Sequence, residues 1–146
     1  MKASDMKNYL GGTVLAALFL ATPLAALAGQ DMIADHGTVW RTKDIGAVTQ
    51  GFIQIHNTSA AGDVLTGWSC PIADTTALVD AAGKPLQSLE IPAGQRVTLA
   101  PDGPHLLLRG THFAVARGSV LPCALTFQNA GDIAVYLNSI PAPKGR

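Results

Sequence analysis

Short runs of alternating apolar and polar residues recur along the chain, separated by turn-forming residues roughly every eight to twelve positions. The clearest runs are 52–56, 97–99, 123–127 and 133–137. A β-strand points successive side chains to opposite faces, so strict alternation over about four to eight residues is typical of a half-buried strand. Beyond residue 28 the helical period is nearly absent, and the pattern predicts strands throughout.

Turn chemistry separates these runs. The connecting segments combine Gly, Pro, Asn and Asp, as in residues 82–85, 92–94, 101–104 and 129–132. About seven to nine short strands at this spacing predict an all-β domain, folded as an antiparallel β-sandwich or barrel.

The first residues predict a targeting segment rather than part of the domain. Lys2 and Lys7 precede an apolar run over residues 11–27, and Ala26-Leu27-Ala28 offers small residues to a secretory peptidase. The run falls short of the ~20 residues that span a bilayer comfortably, so an uncleaved anchor is the lesser alternative. No cysteine stands directly after the run, which argues against a lipoprotein. We expect a signal peptide over 1–28, a β-domain over 29–140 and a loose tail over 141–146.

Charge and motifs narrow the function classes. Ten Lys and Arg balance ten Asp and Glu, and the basic residues are dispersed along the sequence. This balance predicts no electrostatic surface for nucleic acid, and no membrane contact beyond the signal segment. No G-x-S-x-G, H-E-x-x-H or paired-carboxylate pattern occurs, and the chain is not expected to be an enzyme.

The two cysteines, Cys70 and Cys123, both lie in the part expected to be exported. Alternation places Cys123 on an inward face, and oxidising conditions favour a disulfide between the two. A copper site made of Cys70, Cys123 and His105 is the competing interpretation, and it needs both sulfurs reduced.

His105 begins the aliphatic run of residues 105–109. The strand period puts His105, Leu107 and Arg109 on one face and Leu106 and Leu108 on the other, which is the expected core face. His105 therefore faces outward in this prediction. It is either a metal ligand with partners elsewhere or a histidine at the rim of the barrel bonded to a loop carbonyl.

Four segments carry a family resemblance. They are IHNTS (55–59), Ser69-Cys70-Pro71, LEIPAGQRVTLAPDGPHLLLRG (89–110) and LPCALTFQNAGDIAVYL (121–137). In this order, from about Met32 to Leu137, they resemble the PCu(A)C family of periplasmic copper chaperones. The resemblance implies a cupredoxin-like β-barrel in the periplasm. It also implies Cu(I) held by two His and two Met and passed toward the CuA centre of cytochrome oxidase.

The ligand positions of that family are mostly occupied by other residues here. Val79 and Ala81 stand where the family has a His-x-Met pair, and no methionine occurs in residues 83–88, where it has an isolated Met. The second His-x-Met pair corresponds to His105 and Leu107. An aliphatic side chain offers no lone pair to a metal, so His105 is the one family ligand position that keeps a metal-binding residue. Met32, near the start of the domain, is a further candidate ligand outside those positions.

Two functions from different classes therefore stay open. The first is a periplasmic copper-chaperone-like protein with a degenerate site and weak or absent copper binding. Its expected partners are copper-carrier or oxidase-assembly proteins. The second is a metal-free β-barrel that serves as an accessory or interaction module. The sequence does not indicate an oligomeric state.

Overall fold

A computed structural model describes residues 31–145, so the expected signal peptide lies outside the described residues. These residues form the strands β1 (Met32–Trp40), β2 (Val48–Asn57), β3 (Asp63–Ser69), β4 (Ala73–Val79), β5 (Leu89–Ile91), β6 (Arg96–Thr98), β7 (His105–Thr111), β8 (Val120–Phe127) and β9 (Gly131–Ile140). The all-β prediction is confirmed. The described part of the chain has no helix long and apolar enough to cross a membrane.

The nine strands belong to one curled sheet in the order β4-β7-β2-β1-β9-β8-β3-β5, with β6 paired to β2. All but one of the strand pairs are antiparallel, as expected. The exception is the parallel pairing of β1 with β9, where Thr38 lies opposite Asn138 and Trp40 opposite Ile140. The first and last strands of the chain thus run in the same direction at the middle of the sheet, and their pairing joins its two halves.

The inward face of the curl is aliphatic and carries the core. Its fully buried side chains include Ile53, Ile55, Leu65, Leu78, Leu106, Leu108, Leu121, Leu125 and Leu137. These positions alternate along their strands with half-buried or exposed residues, as the sequence pattern predicts, except beside Phe52, Val79 and His105, which are also buried.

The core also contains the predicted disulfide. Cys70, just after β3, and Cys123, on β8, are both buried and form a bond across 53 positions of sequence. Because both sulfurs are used in this bond, the structure does not form the alternative thiolate copper site.

Two buried polar side chains organise the loops beside β2 and β3. The Asn57 amide donates to the carbonyls of Ala61 and Ile91 at 2.9 and 3.0 Å, and its oxygen accepts hydrogen bonds from Ser59. The Asp63 carboxylate accepts hydrogen bonds from the backbone N–H groups of residues 64, 129 and 130. Each side chain replaces bonds to water with bonds to the backbone, and so ties its loop to the sheet.

Candidate metal site

Two short strands, β6 and β7, pair with the same side of β2, and the loop between them positions His105. β6 pairs with residues 54–56 of β2, and β7 pairs with residues 48–51 of the same strand. Between them, the chain leaves the sheet after Leu99, whose N–H still donates to the Ile53 carbonyl. The excursion is closed by two hydrogen bonds of 3.0 Å, from Ala100 to Pro104 and from Gly103 to Ala100. His105 is the first residue back in the sheet.

His105 is held by the loop that precedes it. Its Nδ1 lies 2.9 Å from the Gly103 carbonyl oxygen. A carbonyl can only accept, so Nδ1 carries the proton and donates. In the neutral ring, Nε2 is then the nitrogen with a lone pair available to a metal ion.

The outward face around His105 is covered, which corrects the expectation of an outward-facing rim histidine. His105 has only 4% of its surface exposed. On the same face, the Phe52 ring lies 6.1 Å from the imidazole, and Trp40 packs edge-on against Phe52 at 5.2 Å between centroids. The predicted alternation of faces is correct, but aromatic side chains from β1 and β2 make the outer face a second buried layer here. The expected bond to a loop carbonyl is present.

The residues facing His105 across β7 and β4 are aliphatic. Val79 lies directly opposite His105, and Ala77 lies opposite Leu107. Opposed residues of an antiparallel pair share a face with Cβ atoms about 5 Å apart. A side chain at position 79 is therefore placed to meet the imidazole. The described residues contain no group of three or more His, Cys, Asp or Glu that could hold a metal ion.

Met32 is not brought to this site. It lies opposite Asn57 on β2 and is a buried member of the core, whereas the β2–β7 register, continued by one residue, places His105 beside Phe52. Five residues of strand separate these two points of β2, which is about 17 Å along the strand. The thioether of Met32 and the imidazole of His105 do not meet around one ion in this fold.

The other histidines lie apart from His105. The His36 ring pairs with its neighbour Asp35 at 2.8 Å, and His112 Nε2 pairs with Asp74 at 2.9 Å. Both pairs are exposed, and each offers two donors at most. His56 lies on β2, opposite Ile33 of β1 and Arg96 of β6, four residues along the strand from Phe52. His105 is thus the one imidazole of the described chain that faces the positions where the resemblance locates copper ligands.

The fold and this geometry can now be compared with known proteins. A family model described as "Putative lipoprotein LpqE-like" matches residues 33–138. The chain belongs to the LpqE-like family. Both cysteines of this LpqE-like sequence are in the disulfide, whereas lipid attachment needs a free thiol. None of the curated proteins compared with the chain matches it.

Solved structures share the fold. The "Copper-bound PCuAC domain from PmoF2" is 21% identical and superposes with a TM-score of 0.67, over 77% of this chain and 94% of that domain. The apo PCuAC domain from PmoF1 is also 21% identical, with a TM-score of 0.69 over 77% of this chain and 95% of that one. The Cu(I) form of DR1885 from Deinococcus radiodurans is 23% identical, with a TM-score of 0.62 over 85% of this chain and 90% of that one. The LpqE-like chain therefore has the PCu(A)C fold that its sequence motifs predict.

Proposed function

We propose that this LpqE-like protein is an exported, copper-chaperone-like protein whose metal site is degenerate. The observation that carries the proposal is the cross-strand register around His105. The imidazole lies opposite Val79, one of the positions that the resemblance assigns to copper ligands, and the neighbouring residues Ala77 and Leu107 are also aliphatic. The similarity to copper-bound PCu(A)C domains supports a carrier rather than an enzyme.

Export to the periplasm belongs to the same proposal. The basic residues, apolar run and small residues of positions 1–28 support a cleaved signal peptide, and the disulfide suits an oxidising compartment. In that compartment the partners would be copper carriers or oxidase-assembly proteins. With a single donor, the protein would receive copper only weakly, because each missing ligand removes a bond that offsets the lost hydration of the ion.

The degenerate site predicts weak copper binding by the native protein. Cu(I) titrated in competition with a chelator of known affinity should reveal no one-to-one site tighter than micromolar. A tight site that disappears in His105→Ala would contradict the proposal, because it would mean that His105 binds copper together with residues other than its aliphatic neighbours.

The scaffold should regain copper when donors are restored. The triple variant Val79→His, Ala81→Met and Leu107→Met puts an imidazole opposite His105 and adds two thioethers, the donor set that Cu(I) prefers. We expect at least about a hundredfold gain in Cu(I) affinity, because mutation of residues that only support metal ligands already costs up to about a hundredfold.

The matched control places the same His-x-Met pair on an exposed face. Ala134→His with Tyr136→Met does this on β9, opposite Ala124 and Pro122. This variant should gain little affinity, because nothing opposite it coordinates a metal. Equal gains in both variants, or none in the triple variant while it remains folded by circular dichroism, would refute the assigned ligand positions.

A metal-free interaction module is the second candidate function. The observation favouring it is the burial of His105 against Phe52 and its bond to Gly103, which give the imidazole a structural role without metal. If the triple variant gains copper while the native protein binds none at physiological concentrations, this second function is the better assignment.

A further inference from the structure

One end of the barrel gathers three segments that are distant in sequence. We define the basic end as residues 41–48, residues 109–119 and residues 140–145. Hydrogen bonds join them, from Gly46 N–H to the Thr111 carbonyl and from Thr42 N–H to the Val115 carbonyl. The bond from Arg41 N–H to the Ile140 carbonyl joins this end to the last residue of β9, which residues 141–145 follow.

Most of the positive charge of the described chain lies at this end. Five of the seven basic residues among residues 31–145 are here, namely Arg41, Lys43, Arg109, Arg117 and Lys144. Two carboxylates accompany them, Asp44 and the nearby Asp74, which pairs with His112. The other seven carboxylates lie elsewhere with only Lys84 and Arg96. A near-neutral chain is thus folded into a molecule with one positive end, which corrects the expectation that nothing basic clusters.

The basic end also exposes large apolar side chains. Ile45 is 74% exposed, Val48 57% and Phe113 42%, and these are three of the six large hydrophobic residues exposed in the described chain. Exposed aromatic and aliphatic residues beside arginines are the composition of protein-binding surfaces.

A cleft of about 900 Å³ opens at this end. Its lining includes three basic side chains and one carboxylate, together with Val48 and Gln50; the charged residues are Arg41, Lys43, Lys144 and Asp44. Two buried polar atoms of these lining residues have no hydrogen-bond partner within the described chain, Nε of Arg41 and Oε1 of Gln50. A buried donor and a buried acceptor without partners are costly. A ligand in the cleft recovers that cost if the two side chains turn toward it and it supplies both partners.

We propose that this cleft binds an extended acidic segment of a partner protein. A polypeptide brings carbonyl or carboxylate oxygens for the Arg41 N–H and backbone N–H groups for the Gln50 oxygen. Its negative side chains complement Lys43 and Lys144, and its apolar side chains pack on the exposed hydrophobic residues. A flat membrane surface does not enter the cleft, whereas an extended peptide can, so the cleft favours a peptide over a bilayer. The proposal is independent of copper binding.

The test is selection from a random dodecapeptide display library on the full exported protein, followed by resynthesis of the selected peptides. We expect the selected peptides to be rich in Asp and Glu with interspersed apolar residues. Their affinity should fall at least about tenfold in Lys43→Gln/Lys144→Gln and should weaken as salt is raised. In heteronuclear NMR, the amide shifts of residues 48–50 and 115–116 should change on binding.

The matched control is Lys84→Gln/Arg96→Gln, which removes the same charge away from the basic end. It should bind the selected peptides as the native protein does. Selected peptides without acidic enrichment, or equal losses in both double variants, would overturn the proposal. Native protein that ignores the peptides but binds phosphatidylglycerol vesicles through Lys43 and Lys144 would also overturn it, and would assign the basic end to a membrane surface.

Discussion

At the scale of single residues, His105 carries a nitrogen that can bind a metal, Nε2, and its ring is also part of the packing of the fold. Its Nδ1–H is used by the Gly103 carbonyl, and its ring packs beside Phe52. The first contact fixes the tautomer and the second fills the outer layer of the sheet. A histidine in this setting keeps its place in the fold whether or not a metal binds to Nε2.

Replacing His105 by alanine should therefore destabilise the protein. The variant loses a buried hydrogen bond and leaves space beside Phe52, and we expect the free energy of unfolding to fall by about 2–3 kcal/mol. Urea denaturation followed by tryptophan fluorescence measures the change. His112→Ala is the control, because His112 is exposed and its pair with Asp74 is a surface contact worth less than about 1 kcal/mol. Equal stabilities of His105→Ala and the native protein would contradict the structural role.

The environment of His105 could be predicted from the sequence only in part. The strand period correctly predicted that His105 and Leu107 share a face opposite Leu106. Burial was not predictable, because the groups that cover His105 come from β1 and β2, more than 50 positions away in sequence. Local alternation reports the direction of a side chain but not what lies in that direction.

At the scale of elements, the loops beside β2 depend on one buried amide. Asn57 ends β2, and its side chain joins the loop after β2 to the last residue of β5. Both of its amide hydrogens and its oxygen are used, which is the full satisfaction expected of a buried polar group.

Asn57→Ala should loosen both connections at once. Two carbonyls lose their donor and Ser59 loses its acceptor, so we expect a loss of about 2–4 kcal/mol in unfolding free energy. Hydrogen exchange should show faster exchange at residues 59–63 and 89–91. Asn138→Ala is the matched control, since Asn138 is exposed on β9 and should change stability by less than about 0.5 kcal/mol. Unaltered exchange in the first variant would show that the amide does not hold the loops.

Strand existence was predicted well, and strand pairing was not. The alternating runs over 52–56, 123–127 and 133–137 all fall within observed strands. The parallel neighbours β1 and β9 and the shared partner of β6 and β7 do not follow from local pattern, because pairing depends on how the whole sheet curls.

At the scale of the whole molecule, the disulfide joins two parts of the core that are distant in sequence and adjacent only in the folded protein. Cys70 follows β3 and Cys123 lies within β8, with 53 positions between them. In the chain-entropy description, closing a loop of this length stabilises the native state by about 4 kcal/mol, because the unfolded chain loses freedom.

The double variant Cys70→Ala/Cys123→Ala should lower the unfolding free energy by about this amount. Chemical denaturation of the double variant, and of the native protein with and without a reductant, measures it. The reduced native protein serves as the control for lost packing, since it keeps both sulfurs. If the unfolding free energies of the double variant and of the reduced native protein both lie within about 1 kcal/mol of that of the oxidised native protein, the bridge contributes little and the core alone accounts for stability.

The sequence by itself determined the all-β class, the inward cysteines and the absence of a metal-donating side chain at positions 79, 81 and 107. These properties depend on the period of side-chain direction along a strand and on which atoms carry lone pairs, and both are local. Only the tertiary structure decided that His105 is buried, that Val79 faces it, that Met32 is far from it, and that five dispersed cations share one end. Those facts depend on distances between segments remote in sequence, which are set when the sheet curls around its core.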